Sequence, residues 1–378
     1  MIEKALAELT LNITDGKHGD CRGKDDSGYY FISCKDIREG QIHYEDARQI
    51  IEEDFWDTHK RTRLEPDDIL VTNSGTIGRM AFVRDVPLTY RTTFQKSVAI
   101  VKPDKAKIFP KYLYYQLQNC VDDFINRSNG AAQKNLLLST MRAFKMNIHE
   151  DEDLQMHIAA ILSAYDDLIE NNQKQIKLLE EAAQRLYKEW FIDLRFPGHE
   201  NVKIVDGVPE GWENASVTDL LEIRYGKDHK GLADGCIPVY GSGGIMRKVD
   251  KILYSGESVL IPRKGSLNNI LLVSGDFWTI DTMFYSVPKR PNVAKYVYLY
   301  LTGIDMYAMN IGAAVPSMTV KILDGMRLLC PSDSILELFE TTAKPYYEMI
   351  ELLKKKQSML GETRDRLLPK LMSGEIEV

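Results

Sequence analysis

The stretch LQMHIAAILSAYDDLIENNQKQIKLLEEAAQRLYKEWF, residues 154–191, decides how this chain of 378 residues is organised. It contains neither proline nor glycine, and apolar side chains recur along it at spacings of three and four. That periodicity predicts one continuous helix from Asp153 to about Glu189, on the order of 50 Å long. Because one small domain does not need so long a helix, we expect it to connect two.

A second long helix is predicted at about residues 334–368, where apolar side chains repeat every seven positions. The two helices align at an offset of 181 residues, with Arg185-Leu186 falling on Arg366-Leu367. With one gap, the similarity extends upstream to the segments that begin at Asn129 and Ile311. This pattern predicts an internal repeat.

Neither helix can bury its apolar stripe alone, so the sequence predicts that the two pair as an antiparallel coiled coil. The alternative is that each stripe packs only on its own neighbouring domain. Asn172 and Gln175 are polar at seam positions, where they would help set the register at some cost in stability. Pro369 is expected to end the second helix at Leu368, and Gly374 to let the chain turn away. The predicted seam residues are Ile161, Leu168, Leu179, Leu186, Tyr346, Leu353, Leu360 and Leu367.

The segments outside the two helices share short apolar runs, frequent turns and many aromatic residues. Each contains a strand, a glycine turn and a second strand, at residues 67–83 and 256–273. Each is also expected to contain a short helix, at residues 110–119 and 293–302. The texture of both segments is that of a mixed α/β domain.

The predicted fold class is therefore α+β: two mixed α/β domains separated by two long helices, with an internal pseudo-two-fold repeat. The predicted boundaries are 1–147 for the first domain, 148–200 for the central helix, 201–328 for the second domain and 329–378 for the terminal helix.

Composition and charge limit the classes of protein to consider. The chain has no apolar run long enough to cross a membrane and no signal-peptide pattern, so we expect a cytoplasmic protein with no membrane partner. Its formal net charge is −7. Residues 151–200 hold 5 basic and 11 acidic side chains, and residues 331–378 hold 7 and 9, so the remainder is near neutral. A near-neutral domain can still present a basic face, and DNA is not excluded as a partner.

Motifs of known catalytic sites are missing from the sequence. There is no GxxxxGK[ST] phosphate loop, no G-x-S-x-G elbow, no H-E-x-x-H and no [DNS]-P-P-[YFW] of an amino-methylating enzyme. The five cysteines show no CxxC spacing, which favours reduced thiols over a disulfide framework or a metal site. We therefore expect a protein without catalytic activity and without a metal.

Four loops carry residues suited to binding nucleic acid: TDGKHGDCRGK (14–24), TNSGTIGR (72–79), IRYGKDHKG (223–231) and IPRKGSLNN (261–269). Basic, hydroxyl and amide side chains at turns bind phosphates and base edges. The alternative is an ordinary solvated β-turn, but matching loops in both segments argue against it. The candidate DNA-binding residues are Lys17, His18, Arg22, Thr72, Ser74, Arg79, Lys227, Lys230, Arg263, Lys264 and Ser266.

Taken together, these features resemble the specificity subunit of type I restriction-modification enzymes. The resemblance covers essentially the whole chain. The stretches that carry it, besides residues 154–191, are FISCKDIREGQI (31–42), DDILVTNSGTIG (67–78), VPEGWENASVTDLLEI (208–223), GAAVPSMT (312–319) and, most specifically, LLPKLMSGEI (367–376).

The resemblance implies that each globular segment is a target recognition domain reading one half of a bipartite, asymmetric double-stranded DNA site. The helices would set the gap between half-sites and dock two methylation subunits, which in turn recruit restriction subunits. It implies a non-catalytic chain that binds no cofactor itself, with S-adenosylmethionine, ATP and Mg on the partner subunits. From the residues alone, a coiled-coil scaffold that binds proteins and not DNA remains the alternative.

Overall fold

The computed structural model describes residues 1–128, 134–310 and 317–378. By its internal contacts the chain divides into two units, the first comprising residues 1–171 and 356–378 and the second residues 172–355. Most of the GAAVPSMT motif, and the start of the upstream repeat at residues 129–133 and 311–316, lie outside the described residues.

The described residues of the first unit form ten strands: β1 Ile2–Ala5, β2 Thr10–Asp15, β3 Tyr30–Ile32, β4 Ile37–Arg38, β5 Gln41–Ile42, β6 Ile69–Thr72, β7 Met80–Phe82, β8 Thr92–Phe94, β9 Val98–Pro103 and β10 Lys145–Ile148. The main sheet has four antiparallel strands in the order β2-β9-β6-β7. Beside it, β1 pairs antiparallel with β10, β4 pairs antiparallel with β5, and β3 pairs parallel with β8.

The α-helices that begin in this unit are α1 Glu52–Thr62, α2 Pro110–Asn119, α3 Val121–Asn126, α4 Leu138–Arg142 and the long α5 Glu152–Tyr187. Single 3-10 turns occupy Leu6–Glu8, Cys34–Asp36 and Thr89–Arg91. Helix α2 has the bounds predicted from the sequence. It begins with Pro110, whose fixed φ suits the first position of a helix, and it buries Tyr112 and Tyr115 completely.

The second unit contains the strands β11 Ile204–Val205, β12 Val208–Pro209, β13 Glu213–Ser216, β14 Leu221–Tyr225, β15 Asp234–Gly241, β16 Gly244–Val249, β17 Tyr254–Ser255, β18 Ser258–Pro262, β19 Leu271–Val273, β20 Asp276–Thr279, β21 Met283–Pro288 and β22 Arg327–Cys330. Its remaining helices are α6 Val217–Leu220, α7 Val293–Thr302, α8 Val320–Gly325 and the long α9 Asp333–Ser373, with a π turn at Lys188–Ile192 and 3-10 turns at His199–Asn201 and Ala308–Asn310.

The strand order of the second unit follows that of the first. One of its four-stranded sheets, β14-β21-β18-β19, matches the main sheet of the first unit, and β13 pairs with β22 as β1 pairs with β10; the other is β16-β15-β20-β17. A parallel pair, β15 with β20, corresponds to β3 with β8. Helix α7 has the predicted bounds. It follows β21 along the chain, as α2 follows β9, and each of these strands is the second in the order of its sheet. The predicted mixed α/β content of both globular segments is thus observed.

Each long helix contributes to the core of both units. In the first unit, Ile158 and Leu162 of α5 and Leu371 and Met372 of α9 belong to one buried cluster with α2. In the second unit, Ala183 of α5 lies in one cluster with Phe339 and Ala343 of α9 and with residues of α7. The apolar stripes are therefore buried half in one unit and half in the other.

The covered face of α5 differs from the predicted one near its middle. Leu168 is 50% exposed and does not lie on that face, whereas the neighbouring Ile169 is half-buried and its carbonyl accepts a hydrogen bond from Gln357 Nε2. Gln175 is exposed and Ile176 is half-buried. An α-helix turns every 3.6 residues, so its covered face drifts away from a strict 3.5-residue repeat.

The other predicted seam positions are covered to different degrees. Leu353 is 3% exposed, and the remaining six are half-buried: Ile161, Leu179, Leu186, Tyr346, Leu360 and Leu367. Asn172 is 7% exposed, so one of the two polar seam residues is buried.

Helix α9 does not end at Leu368, contrary to the prediction, but continues through Pro369 to Ser373. A proline inside a helix forfeits its own N–H bond, and here burial of Leu371 and Met372, each 1% exposed, holds the following turn. The helix stops at Gly374, whose φ is +76°, with Glu375 N–H donating to the Lys370 carbonyl at 2.9 Å. This is a Schellman cap, so the predicted role of Gly374 is observed.

A buried ion triad ties α7 to α9 in the second unit. The Lys295 ammonium lies 2.5 Å from Glu257 Oε1 and 2.7 Å from Glu340 Oε1, and its side chain is 8% exposed. Burial by itself lowers the pKa of Lys295, but the hydrogen bonds to Glu257 and Glu340 outweigh it and leave the pKa raised. The cation is therefore kept charged and holds two carboxylates together.

Replacing this cation should destabilise the second unit strongly. Lys295→Met keeps most of the side-chain volume but leaves two carboxylates facing each other, and we expect a loss of about 3 to 5 kcal/mol in the free energy of unfolding. Urea denaturation followed by tryptophan fluorescence measures it. Lys344→Met is the matched control, because its pair with Glu348 is solvent-exposed and should cost under about 1 kcal/mol. Equal losses in the two variants would contradict a structural role for the triad.

Candidate nucleic-acid interface

In the first unit, Lys17 is held at the end of β2 by its backbone. Its N–H donates to the Phe94 carbonyl at 2.8 Å, and its own carbonyl accepts from Lys96 N–H at 3.1 Å. The preceding Gly16 lies so close to the end of β8 that a Cβ on it would be 2.0 Å from the Phe94 carbonyl oxygen. Only glycine fits there, so the Gly16-Lys17 pair, which we call a Gly-Lys turn, is fixed by the backbone.

The second unit contains the same Gly-Lys turn at Gly226-Lys227. Lys227 N–H donates to the Thr279 carbonyl at 2.8 Å. A Cβ on Gly226 would lie 2.0 Å from the Ile280 oxygen. The two lysines therefore leave corresponding strands, β2 and β14, in the same local conformation.

The second predicted pair of loops forms the hairpin turns between β6 and β7 and between β18 and β19. Asn73 N–H donates to the Ser97 carbonyl at 3.0 Å, and Arg263 N–H donates to the Thr282 carbonyl at 2.8 Å. Both turns have a glycine with positive φ two residues later, Gly75 at +79° and Gly265 at +82°. The hairpin turns are thus built alike.

In each unit the predicted loops meet at one short connecting segment. Residues 95–97 of the first unit touch both the Gly-Lys turn and the hairpin turn, and residues 280–282 of the second unit occupy the corresponding place. These two segments were not predicted from the sequence. Lys96, which is exposed, is a basic residue at a turn, like the candidates that were chosen. The result in each unit is one composite surface made of three loops.

Thr72 was predicted to bind DNA, but its side chain does not reach that surface. It is 0% exposed, and its hydroxyl donates to the Thr76 carbonyl and accepts from Arg79 N–H at 2.9 Å. Its role is to close the hairpin turn. Ser74 is half-buried and Arg79 is exposed.

Arg263 is held against two aromatic rings in the second unit. Its guanidinium carbon lies 4.7 Å from the centroid of Tyr225 and 5.1 Å from that of Phe284, and Nη1 donates to the Asp281 carbonyl at 2.7 Å. The arginine is half-buried, while Lys264 and Ser266 beyond it are exposed. Arg263 therefore braces the hairpin turn, with its donors partly committed within the protein.

Acidic residues of α1 pair with two of the predicted basic residues of the first unit. Lys17 Nζ lies 3.3 Å from Asp57 Oδ2, and Arg22 Nη2 lies 2.8 Å from Asp54 Oδ1, both carboxylates being on α1. The hydrogen bond from the Arg22 side chain lowers the pKa of Asp54 to about 2, so this pair stays ionised across physiological pH.

Three further basic residues of the same region are paired with aspartates. His18 Nε2 lies 2.9 Å from Asp15 Oδ2, Arg61 also binds Asp15, and Arg48 Nη1 lies 2.5 Å from Asp20 Oδ1. The ion pairs of Arg48 and Arg61 could not be predicted from the sequence, because their aspartate partners are distant along the chain. In this region of the first unit, most basic side chains are therefore paired with a carboxylate.

The second unit differs in its electrostatics. Lys227, Lys230 and Lys264 are all exposed, and none forms an ion pair within the part of the chain that the structure describes. Its composite surface therefore presents free ammonium groups, which suit an anionic ligand.

Over residues 1–128, 134–310 and 317–378, no three His, Cys, Asp or Glu side chains gather in a way that suits a metal ion. Within those same ranges, none of the helices combines the length and the apolar character needed to traverse a lipid bilayer.

Comparison with known proteins provides an independent line of evidence. Residues 20–181 match the family model of the type I restriction modification DNA specificity domain. The chain is 27% identical over 344 residues to the type I restriction enzyme MjaIX specificity subunit of Methanocaldococcus jannaschii, covering 82% of this chain and 78% of that protein. It is 21% identical over 366 residues to the HindI specificity subunit of Haemophilus influenzae, covering 73% and 80%.

A solved structure shares the fold. The type I restriction-modification S subunit from M. genitalium superposes with a TM-score of 0.59 at 17% identity, covering 98% of this chain and 96% of that one. With the family match at residues 20–181, the resemblance read from the sequence is confirmed: the chain carries a type I restriction modification DNA specificity domain and is similar over most of its length to specificity subunits of type I restriction enzymes.

Proposed function

We propose that this chain reads a bipartite, asymmetric sequence in double-stranded DNA, with one half-site bound by the globular part of each unit. The observation that carries the proposal is the composite surface, which occurs twice on the same strand order with a Gly-Lys turn and a hairpin turn in each. Two similar surfaces with different side chains suit two different half-sites. Lysines and hydroxyls at these turns have the chemistry of phosphate and base-edge contacts.

We further propose that α5 and α9 pair as an antiparallel coiled coil within an internal repeat. In the first unit, Arg364 Nη1 donates to Asp166 Oδ1 at 2.5 Å, and Gln357 Nε2 donates to the Ile169 carbonyl at 3.2 Å. A later residue of α5 thus contacts an earlier residue of α9, as in an antiparallel pair. In the second unit, the rings of Phe191, in the π turn that follows α5, and Phe339 of α9 lie 4.8 Å apart. These contacts support the antiparallel direction and a role of the helices as the spacer between half-sites.

The long helices are also the proposed docking surface for two methylation subunits, which would recruit restriction subunits. Support comes from apolar side chains left exposed along them, which mark interaction surfaces when they cluster: Met156 40%, Leu168 50%, Leu178 63%, Leu352 46% and Met359 59%. In this proposal the present chain does no chemistry and binds no cofactor. S-adenosylmethionine, ATP and Mg would belong to the partners.

Selection from a random duplex library, at two salt concentrations and with and without the methylation subunits, tests DNA recognition. We expect one split sequence with a fixed gap, bound with an affinity that falls steeply with salt. Lys264→Ala should lower the slope of log affinity against log salt by about 0.9, because one phosphate contact is lost. Lys355→Ala, on the exposed face of α9, is the control. A chain that enriches no sequence but binds proteins regardless of salt would be a scaffold.

The paired charges of the first unit generate a second expectation. Asp57→Asn frees Lys17 for a phosphate, so the affinity for DNA should rise and the salt slope should steepen by about 0.9. Asp25→Asn removes the same charge from an exposed aspartate of this unit and is the control for net charge. If both variants gain affinity equally, overall charge and not Lys17 is responsible.

The spacer role is tested by changing helix length. Inserting four residues as a stutter near Asn172 should alter the preferred gap while leaving both half-site sequences unchanged. The same library selection reads out both quantities. An unchanged gap preference in a folded variant would count against the helices as a ruler.

A further inference from the structure

The second unit carries an exposed apolar ribbon tip beside its hairpin turn. Strands β15 and β16 form an antiparallel hairpin, here called the ribbon, which is joined by Ser242 and Gly243 and lies at one edge of the four-stranded sheet β16-β15-β20-β17. Just after this joint, Ile245 is 60% exposed and Met246 is 55% exposed. Together these two side chains give the end of the hairpin a small apolar surface that a ligand could cover.

A β-bulge is responsible for this exposure. The register pairs Tyr240 with Ile245 and Val239 with Arg247, so Met246 is one residue extra on its strand. A regular strand turns successive side chains to opposite faces, whereas a bulge re-aims them. The bulge thus leaves both apolar side chains exposed at the tip.

The ribbon tip is fixed to the composite surface of the same unit by three contacts. Asn269 Nδ2 donates to the Ser242 carbonyl at 2.8 Å, and Ile280 N–H donates to the Tyr240 carbonyl at 3.0 Å. A Cβ added to Gly265 would lie 2.6 Å from Ser242 Oγ. The tip therefore lies against both the hairpin turn and the 280–282 segment.

The ribbon is also where the two units cease to correspond. In the first unit, Gln95 N–H donates to the Ile32 carbonyl at 2.8 Å, as Ile280 does to Tyr240. After Ile32 the chain forms the 3-10 turn Cys34–Asp36, whereas after Tyr240 it forms the ribbon tip. A difference at this position, on otherwise matching supports, is expected of an element that distinguishes one ligand from another.

We propose that the ribbon tip enters the major groove and that Ile245 and Met246 contact the C5-methyl group of a thymine. This inference rests on the proposed DNA-reading function and names a contact within it. The major groove is wide enough for two antiparallel strands, so it admits the projecting end of this hairpin, and the thymine methyl is the apolar group displayed on its floor. Exposed Lys248 and Lys264 supply positive charge nearby. Arg247 instead braces the ribbon, donating to Leu232 O at 2.9 Å and Asp234 Oδ1 at 3.0 Å.

Thymine-to-uracil replacement tests the contact, because uracil keeps every base-edge donor and acceptor and lacks only the methyl group. The probe is the duplex recovered from the random library, bound by the full chain with its methylation subunits, with each thymine replaced in turn. We expect one position at which the affinity falls about fourfold, the effect of one buried methyl-sized group. The double variant Ile245→Ala/Met246→Ala should bind the thymine duplex correspondingly more weakly and show no further loss with uracil at that position.

Ile252→Ala is the matched control, since Ile252 is 51% exposed in the same unit but lies outside the ribbon, and it should keep the full sensitivity to uracil. The inference is overturned if a split site is recovered but no thymine responds, if the double variant keeps the wild-type sensitivity, or if the apolar pair proves to bind another protein. Failure to recover any split site would instead overturn the proposed function, and the inference with it.

Discussion

The structure depends on the need to bury two apolar stripes that are too long for one domain. Helices α5 and α9 each pass half of their length into one hydrophobic core and half into the other, so neither globular unit is complete without both helices. In the first unit, Arg364 and Tyr115 both bond to Asp166, at 2.5 and 2.6 Å, which joins α9, α2 and α5 at one carboxylate. Each composite surface is thereby connected to the helices through the core of its own unit.

Much of this architecture is visible in the sequence, because it follows from local periodicity. Helices α2 and α7 have the bounds expected, with Pro110 suited to the first position of α2, and the missing glycine and proline give α5 its continuity. The errors arise where tertiary packing decides. Leu168 fits a heptad but is exposed because the real helix drifts from it, and Pro369 reads as a stop but is overridden by the buried Leu371 that follows.

The candidate site was predictable to a smaller degree, since charge pairing over long separations has no local signature. Lys17 and Arg22 read as free cations, yet each meets an aspartate of α1 more than thirty residues away, Asp57 and Asp54 respectively. Thr72 reads as a hydroxyl available to a ligand, but it is spent on its own turn. On the composite surface of the second unit, Lys227, Lys230 and Lys264 are exposed and form no ion pair with any described residue, whereas Lys17 of the first unit is paired with Asp57. Two surfaces of the same design therefore differ in how strongly they attract an anion.

The Gly-Lys turns have a consequence for how such a chain can change over time. Because a Cβ on Gly16 or Gly226 would meet a backbone oxygen at 2.0 Å, the position of each turn is set by main-chain atoms and not by the side chains around it. Side chains elsewhere on the composite surface can then be exchanged without rebuilding their support. Mutations on the composite surface can therefore change what it binds at little cost in stability. The two glycines themselves should tolerate almost no replacement.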